Sequence, residues 1–291
     1  MLNLAGRRGD AKEVRTRTGI GDSQYFFNLA GVTVANSDLA KLTVIVRTFE
    51  RPKAIGRLLK SLRRYHPGLR TLVADDGVEA TPCKHVETVR LPSEKGQAAC
   101  LNALLARVRT PYFLVLSENA EIHHDSQLES LTNLVANDQL DIAGGNVVAC
   151  RRRLWFFVSR QAQGKHGLLE IAGDRLKLLP GSRSQGNGFW WCDLLPAFFV
   201  ARTDRVRAMG GWDPELRDDC QEEFFFRAHR HGIRVGLQPA ATIWQWQEPA
   251  TQPADDSHQR LLALGVAKMG LSEMTDLEGR LIRVPRLARA A

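Results

Sequence analysis

Residues Tyr112–Leu116 read YFLVL, an apolar run with no polar alternation. A run that short and that apolar suits a strand covered on both faces, as in a parallel sheet flanked by helices. It stops abruptly at Ser117, Glu118 and Asn119. Two earlier runs behave alike: LTVIV, from Leu42 to Val46, leads into Arg47, Thr48, Phe49, Glu50 and Arg51, and LRTLVA, from Leu69 to Ala74, leads into Asp75, Asp76 and Gly77. Between those two lies a helical pattern over 53–65. Ile55, Leu58, Leu59 and Leu62 share one face, and Arg57, Lys60, Arg63 and Arg64 cover the other. His66, Pro67 and Gly68 end it. Strand, helix and strand within about 35 residues predict a right-handed crossover, so the strand ends share one edge. Ligands of open α/β sheets collect at that edge.

Further along, the pattern predicts a strand over 87–91, helices over 97–108 and 127–137, and a strand over 141–149 with a glycine bend. Residues 150–188 are rich in arginine and glycine and read as an excursion or mobile loop. The apolar stretch 189–202 contains one carboxylate, Asp193, and Thr203 is placed to cap a short helix over 204–209. A helix over 222–231, a strand region over 234–246 and an amphipathic helix over 258–269 follow. This divides the chain into an accessory arm able to supply a hairpin (1–40), a principal α/β domain (41–249) and a linker, helix and basic tail (250–291).

Composition narrows the function classes. Hydrophobic residues at 44% and charged residues at 25% describe an ordinary soluble domain. The net charge of +8 suits an anionic ligand, but the excess is dispersed arginine, so nucleic acid is not the expected partner. The five cysteines form no CxxC pair, which points to reduced, buried thiols in the cytoplasm and away from a zinc site. No apolar run approaches the ~20 residues of a membrane span, leaving peripheral association with the inner face of a membrane as the one membrane role to consider. At the shared strand edge, carboxylates stand beside Arg47, Arg51 and Lys95. A carboxylate there can accept from a base imide or a ribose hydroxyl, while cations and helix N-termini hold a diphosphate.

The series VIVRTFERP, LRTLVADDG, PYFLVLSENAEI, DIAGGNV, CDLLPAFFVARTDRVRAMGGWDPEL and EEFFFRAHRHG resembles the inverting GT-A glycosyltransferases of the family-two type. It looks closest to the β-1,4-N-acetylgalactosaminyltransferase branch, the GM2/GD2 synthase-like proteins. The resemblance implies a Rossmann-like GT-A fold, a mostly parallel sheet flanked by helices. It implies transfer of a sugar from a UDP-sugar donor to a saccharide or glycolipid acceptor, assisted by manganese or magnesium. Thr48, Asp75 and Asp76 match the family's uridine-binding positions, and Arg51 lies beside them. Lys95 matches a lysine flanking the donor, Gly144 and Gly145 a glycine pair beside the sugar, and Asp193 an acid of the sugar pocket. Glu223 matches the glutamate ahead of the family's Phe-Phe and is the expected general base, with Glu222 and Asp219 adjacent.

The departures are specific. The metal-holding Asp-x-Asp falls on Ser117, Glu118 and Asn119, and the histidine that completes the metal shell falls on Gln245. Glu118, Asn119 and Gln245 are thus the metal-ligand set, with two amides where a hard dication prefers carboxylates. The acid pair expected near the catalytic helix falls on Cys220 and Gln221. These changes motivate a rival reading, the same fold binding nucleotide sugar or glycan without turnover.

Overall fold

A computed structural model describes residues 39–153, 157–183, 187–247 and 256–285. The arm expected over 1–40 lies almost wholly outside the described residues. In chain order the elements are β1 (Leu42–Thr48), α1 (Pro52–Tyr65), β2 (Arg70–Asp75), β3 (Glu87–Arg90), α2 (Gln97–Leu105), β4 (Tyr112–Leu116), β5 (Ala120–Glu121), α3 (Leu128–Ala136), β6 (Ile142–Arg153) and β7 (Phe157–Gln163). They continue with β8 (Gly167–Ala172), β9 (Arg175–Pro180), β10 (Trp190–Trp191), β11 (Phe198–Arg202), α4 (Thr203–Ala208), α5 (Gln221–Arg230), β12 (Val235–Trp246), α6 (Asp256–Lys268), β13 (Glu273–Thr275) and β14 (Leu281–Arg283).

The main sheet runs β10-β12-β6-β11-β4-β1-β2-β3, with β5 on β12 and β7 on β6. β1 pairs in parallel with both β2 and β4, as the crossover argument requires. β11 enters antiparallel between β4 and β6. Each apolar strand is buried on both faces: Phe113 and Val115 join one core with α2 and α5, and Leu114 and Leu116 join the other with α1 and α3. That division is why YFLVL shows no polar alternation. The α1 face of Ile55, Leu58, Leu59 and Leu62 is buried as its spacing predicts. Among the described residues, no helix is long and apolar enough to cross a membrane.

Three expectations are corrected. Residues 150–188 are not a loose excursion. β6 continues to Arg153 and pairs antiparallel with β7, and β8 and β9 form a hairpin in a second sheet ordered β14-β13-β9-β8. The alternation that buries Leu176 and Leu178 on β9 is a period-2 signal hidden by the surrounding arginines and glycines. The basic tail is likewise part of a sheet, because β13 pairs in parallel with β9. Finally, Thr203 does not cap α4. Arg202 is the N-cap, and the buried Thr203 hydroxyl donates to the Thr110 carbonyl at 2.9 Å.

Candidate functional site

β1 and β4 end together, with Thr48 level with Asp75 and Val46 level with Leu116. Their ends open into a cleft of about 680 Å³ whose lining includes Arg47, Arg51, Glu118, Asn119, Asp219 and Gln245. The wall opposite the sheet comes from a turn that the sequence builds in steps. Trp212 stacks on Phe224 of α5, with ring centroids 4.7 Å apart, and Asn102 of α2 bonds the Trp212 backbone at both N–H and C=O. Gly211, at φ +69°, brings the chain against Asn102, a conformation and an approach that a side chain would obstruct. Arg217 then adopts φ +52° and turns the chain so that Asp218 and Asp219 line the cleft.

Asp76 is fully buried. Its carboxylate accepts from Arg47 Nε at 2.7 Å and Nη2 at 2.9 Å, and from the Gly96 N–H at 2.8 Å. Burial works against that charge, but the Arg47 and Gly96 bonds outweigh it and hold the carboxyl below its ordinary range. Arg47 is thereby fixed at the cleft wall, and its Nη1 donates to Asp218 at 2.6 Å. Asp218 also accepts from the Gln97 N–H at the start of α2. Asp75 shapes the neighbouring loop, accepting from Gly77 N, Thr81 N and Arg90.

Thr48 donates to Glu118 at 2.7 Å, the Phe49 N–H donates at 3.1 Å, and Arg51 stands 3.7 Å away. Burial nevertheless pushes the Glu118 carboxyl up. Gln245 Nε2 donates to Asn119 Oδ1 at 3.2 Å, while Asn119 Nδ2 donates to the Trp246 carbonyl at 3.0 Å. The three expected metal ligands therefore do meet in the cleft. One carboxylate with a raised pKa and two amides bonded to each other nonetheless make a poor cage for a hard dication. A different grouping, His123, His124 and Asp125, presents ligand atoms within 4.8 Å of one another, so imidazole and carboxylate ligands for a metal are present in the chain. None of the three lines the cleft. His123 Nδ1 accepts the Asp125 N–H, and its ring stacks on Trp244 at 4.6 Å, so a cation taking Nδ1 would have to displace that bond.

The three carboxylates matched to the catalytic region part company. Glu223 is buried and forms a two-pronged pair with Arg227 of the same helix, whose Nη1 donates to the Met209 carbonyl and whose Nη2 donates also to the Gly211 carbonyl. It anchors the turn from below and does not line the cleft. Glu222 also lies off the cleft; burial raises its pKa, and Asp219, Glu278 and Asp276 add to that. Asp219 does line the cleft. Burial pushes its carboxyl up, partly offset by His258 at 2.9 Å.

The remaining expected donor residues lie elsewhere. Lys95 is exposed outside the lining. Gly144 and Gly145 serve packing: an added Cβ would meet Leu195 at 2.8 Å in the first case, and Phe198 and the Ala241 carbonyl at 2.6 Å in the second. Asp193 ties β8 to α5, accepting from Leu169 N at 3.0 Å and from Arg183 at 2.8 Å, with His229 at 3.3 Å. Sequence reasoning did not single out Gln97, Arg217, Asp218 or His258, all of which line the cleft. Asp218 could have been found beside Asp219; nothing near His258 in sequence marks it.

Residues 43–187 match the family described as Glycosyl transferase family 2. The human β-1,4 N-acetylgalactosaminyltransferase 1 is 31% identical over 208 residues, 68% of this chain and 37% of that protein. The mouse β-1,4 N-acetylgalactosaminyltransferase 2 is 30% identical over 189 residues, 63% and 35%. A Mycobacterium tuberculosis pre-mycofactocin glycosyltransferase is 24% identical over 212 residues, 69% and 42%. The chain thus spans little more than a third of the length of the mammalian relatives it matches. Among solved structures, GalNAc-T7 with UDP, GalNAc and Mn2+ superposes with a TM-score of 0.62 at 12% identity, covering 78% of this chain and 47% of that one. S. aureus TarS superposes with a TM-score of 0.52 at 14% identity, covering 78% and 39%. These likenesses establish the GT-A fold.

Proposed function

We propose, from the match of residues 43–187 to glycosyl transferase family 2, that the chain moves a sugar from a UDP-sugar donor to a saccharide acceptor with inversion at the anomeric carbon. The observation that carries this reading is the cleft at the β1 and β4 ends, whose lining brings Arg47, Arg51 and Arg217 together with the Asp219 carboxylate. Inverting transfer needs one base for the acceptor hydroxyl and positive charge near the departing diphosphate. Asp219 supplies the base, in place of the sequence-matched Glu223, whose carboxylate is committed to Arg227. A raised pKa brings a carboxylate nearer to working pH as a proton acceptor. The arginines supply the charge, and no step is assigned to a metal. Thr48 and the loop organised by Asp75 are the uridine side, and Asp76 acts by holding Arg47. The names of the mammalian relatives make N-acetylgalactosamine the first donor sugar to test.

The amide network of Asn119 and Gln245 favours one rival, binding without turnover. Calorimetric titration of UDP with and without manganese, followed by a turnover panel of UDP-sugars, separates the two. UDP bound, with manganese strengthening binding by less than about tenfold (about 1.4 kcal/mol), and turnover of at least one donor is the expected result. Binding without turnover of any donor would favour the rival, and no UDP binding would overturn both. Asp219→Asn should abolish turnover while leaving UDP affinity intact; full activity in that variant would remove Asp219 as base.

A further inference from the structure

The residue that faces Asp219 most directly comes from a different part of the chain. His258 sits in the first turns of α6, and its Nδ1 lies 2.9 Å from one carboxylate oxygen of Asp219 and 3.0 Å from the other. α6 is fixed over the cleft by its far end. Lys268 bridges Asp213 and Glu215, each at 2.7 Å, Val266 is fully buried, and Leu261 lines the cleft beside His258. The turn that presents Asp219 and the helix that presents His258 are therefore clamped to each other at both ends.

We propose that His258 is the positioning residue for Asp219, orienting the carboxylate of the base and keeping it ionised in a desolvated cleft. The inference rests on the reading of Asp219 as base. In the step itself, the acceptor hydroxyl proton goes to Asp219, the acceptor oxygen bonds to the anomeric carbon, and the bond to the diphosphate breaks with its electron pair leaving on UDP. The His258 Nδ1–H stays in place throughout and holds the second carboxylate lone pair. This role explains why the base needs help. Asp219 has Asp218 next to it on its own turn, Glu222 on α5 and Glu118 beyond β4, while Arg47 is already joined to Asp76 and Asp218. Arg51 and Arg217 line the cleft, but Arg217 Nη2 is bonded to the Glu94 carbonyl at 2.6 Å. Among the described residues, His258 is the ionisable base in contact with the Asp219 carboxylate.

The test uses the full chain and three variants, His258→Ala, His258→Gln and Lys268→Ala. It follows turnover of UDP-N-acetylgalactosamine against pH, UDP affinity by calorimetry, and the Asp219 carboxyl by carbon NMR titration, identified by its loss in Asp219→Asn. In His258→Ala, kcat should fall about 10²-fold, the loss typical of a misplaced catalytic group. The acid limb of the pH profile and the Asp219 carboxyl titration should both move to higher pH, with UDP affinity within about twofold of the parent. His258→Gln, which keeps a hydrogen-bond donor but cannot take up a proton, should recover much of kcat while the acid limb stays displaced. Lys268→Ala removes only the clamp at the far end of α6 and should move limb and titration much less than His258→Ala does.

An Asp219 titration unmoved in His258→Ala overturns the proposal, as does a limb displaced as far in Lys268→Ala. An acid limb and kcat unchanged in His258→Ala also overturn it. Full activity in Asp219→Asn would instead overturn the base assignment. The carboxyl titration reads the His258 contact without any turnover, so the two failures are distinguishable.

Discussion

Replacing Glu223 by alanine separates an anchoring carboxylate from a catalytic one. Glu223 is 4% exposed and pairs through both oxygens with Arg227, which in turn bonds the carbonyls of Met209 and Gly211. Removing one partner of a buried pair leaves the other charge uncompensated, at a cost of about 3–5 kcal/mol. For a domain of this size, each kcal/mol moves the melting temperature by about 2–4 °C, so Glu223→Ala should melt roughly 6–20 °C below the parent. The turn carrying Gly211 and Trp212 loses its support from below, but the cleft-lining side chains are untouched. Turnover per folded molecule, measured well below the new melting temperature, should stay within about threefold of the parent, since a general base contributes about 10²–10⁴-fold. Thermal melts by circular dichroism paired with initial rates decide the matter. An unchanged melting temperature with turnover lost would refute the anchoring role and return Glu223 to the chemistry.

Gly145→Ala should destabilise the sheet by about 1–3 kcal/mol or more, because the added methyl meets Phe198 and the Ala241 carbonyl and neither can retreat from the β6–β11–β12 contact; chemical denaturation would check it, and a neutral result would mean that the strands shift freely. Asp76→Asn breaks a second pair, between a fully buried carboxylate and the mostly buried Arg47. It should cost about 3–5 kcal/mol and weaken UDP binding at least about tenfold, seen by calorimetry on the folded protein. Glu118 gives a pH signature. Burial raises its folded pKa above the unfolded value, so its contribution to stability is full below the ordinary carboxylate range and is lost as pH rises through the folded pKa. Glu118→Gln should flatten the decline in melting temperature as pH rises above the ordinary carboxylate range, and a steeper decline would reverse the assignment.

The backbone of the site was legible in the sequence because it depends on local patterns. Three unbroken apolar runs ending in polar clusters, with a helix of fixed apolar face between the first two, require a covered parallel sheet whose strand ends meet. That placed Thr48, Asp76 and Glu118 on one edge, while the metal-ligand positions of Asn119 and Gln245 came from the family resemblance alone. The second sheet was not legible. Its strands lie far apart in the chain, and β9 meets β13 only across the whole of β10 to α6, a pairing that no short window contains. The roles of the carboxylates were undecided for a related reason. Glu223 stands four residues ahead of Arg227, a spacing at which a helix can pair the two, and the structure forms that pair; that Glu222, one position away, faces Asp276 and Glu278 is decided by packing. Asp219 and His258, 39 residues apart, are joined solely by the docking of α6 over the cleft. Sequence alone determined where the edge of the sheet would be; tertiary packing decided which charges at that edge are committed to the fold and which face the cleft.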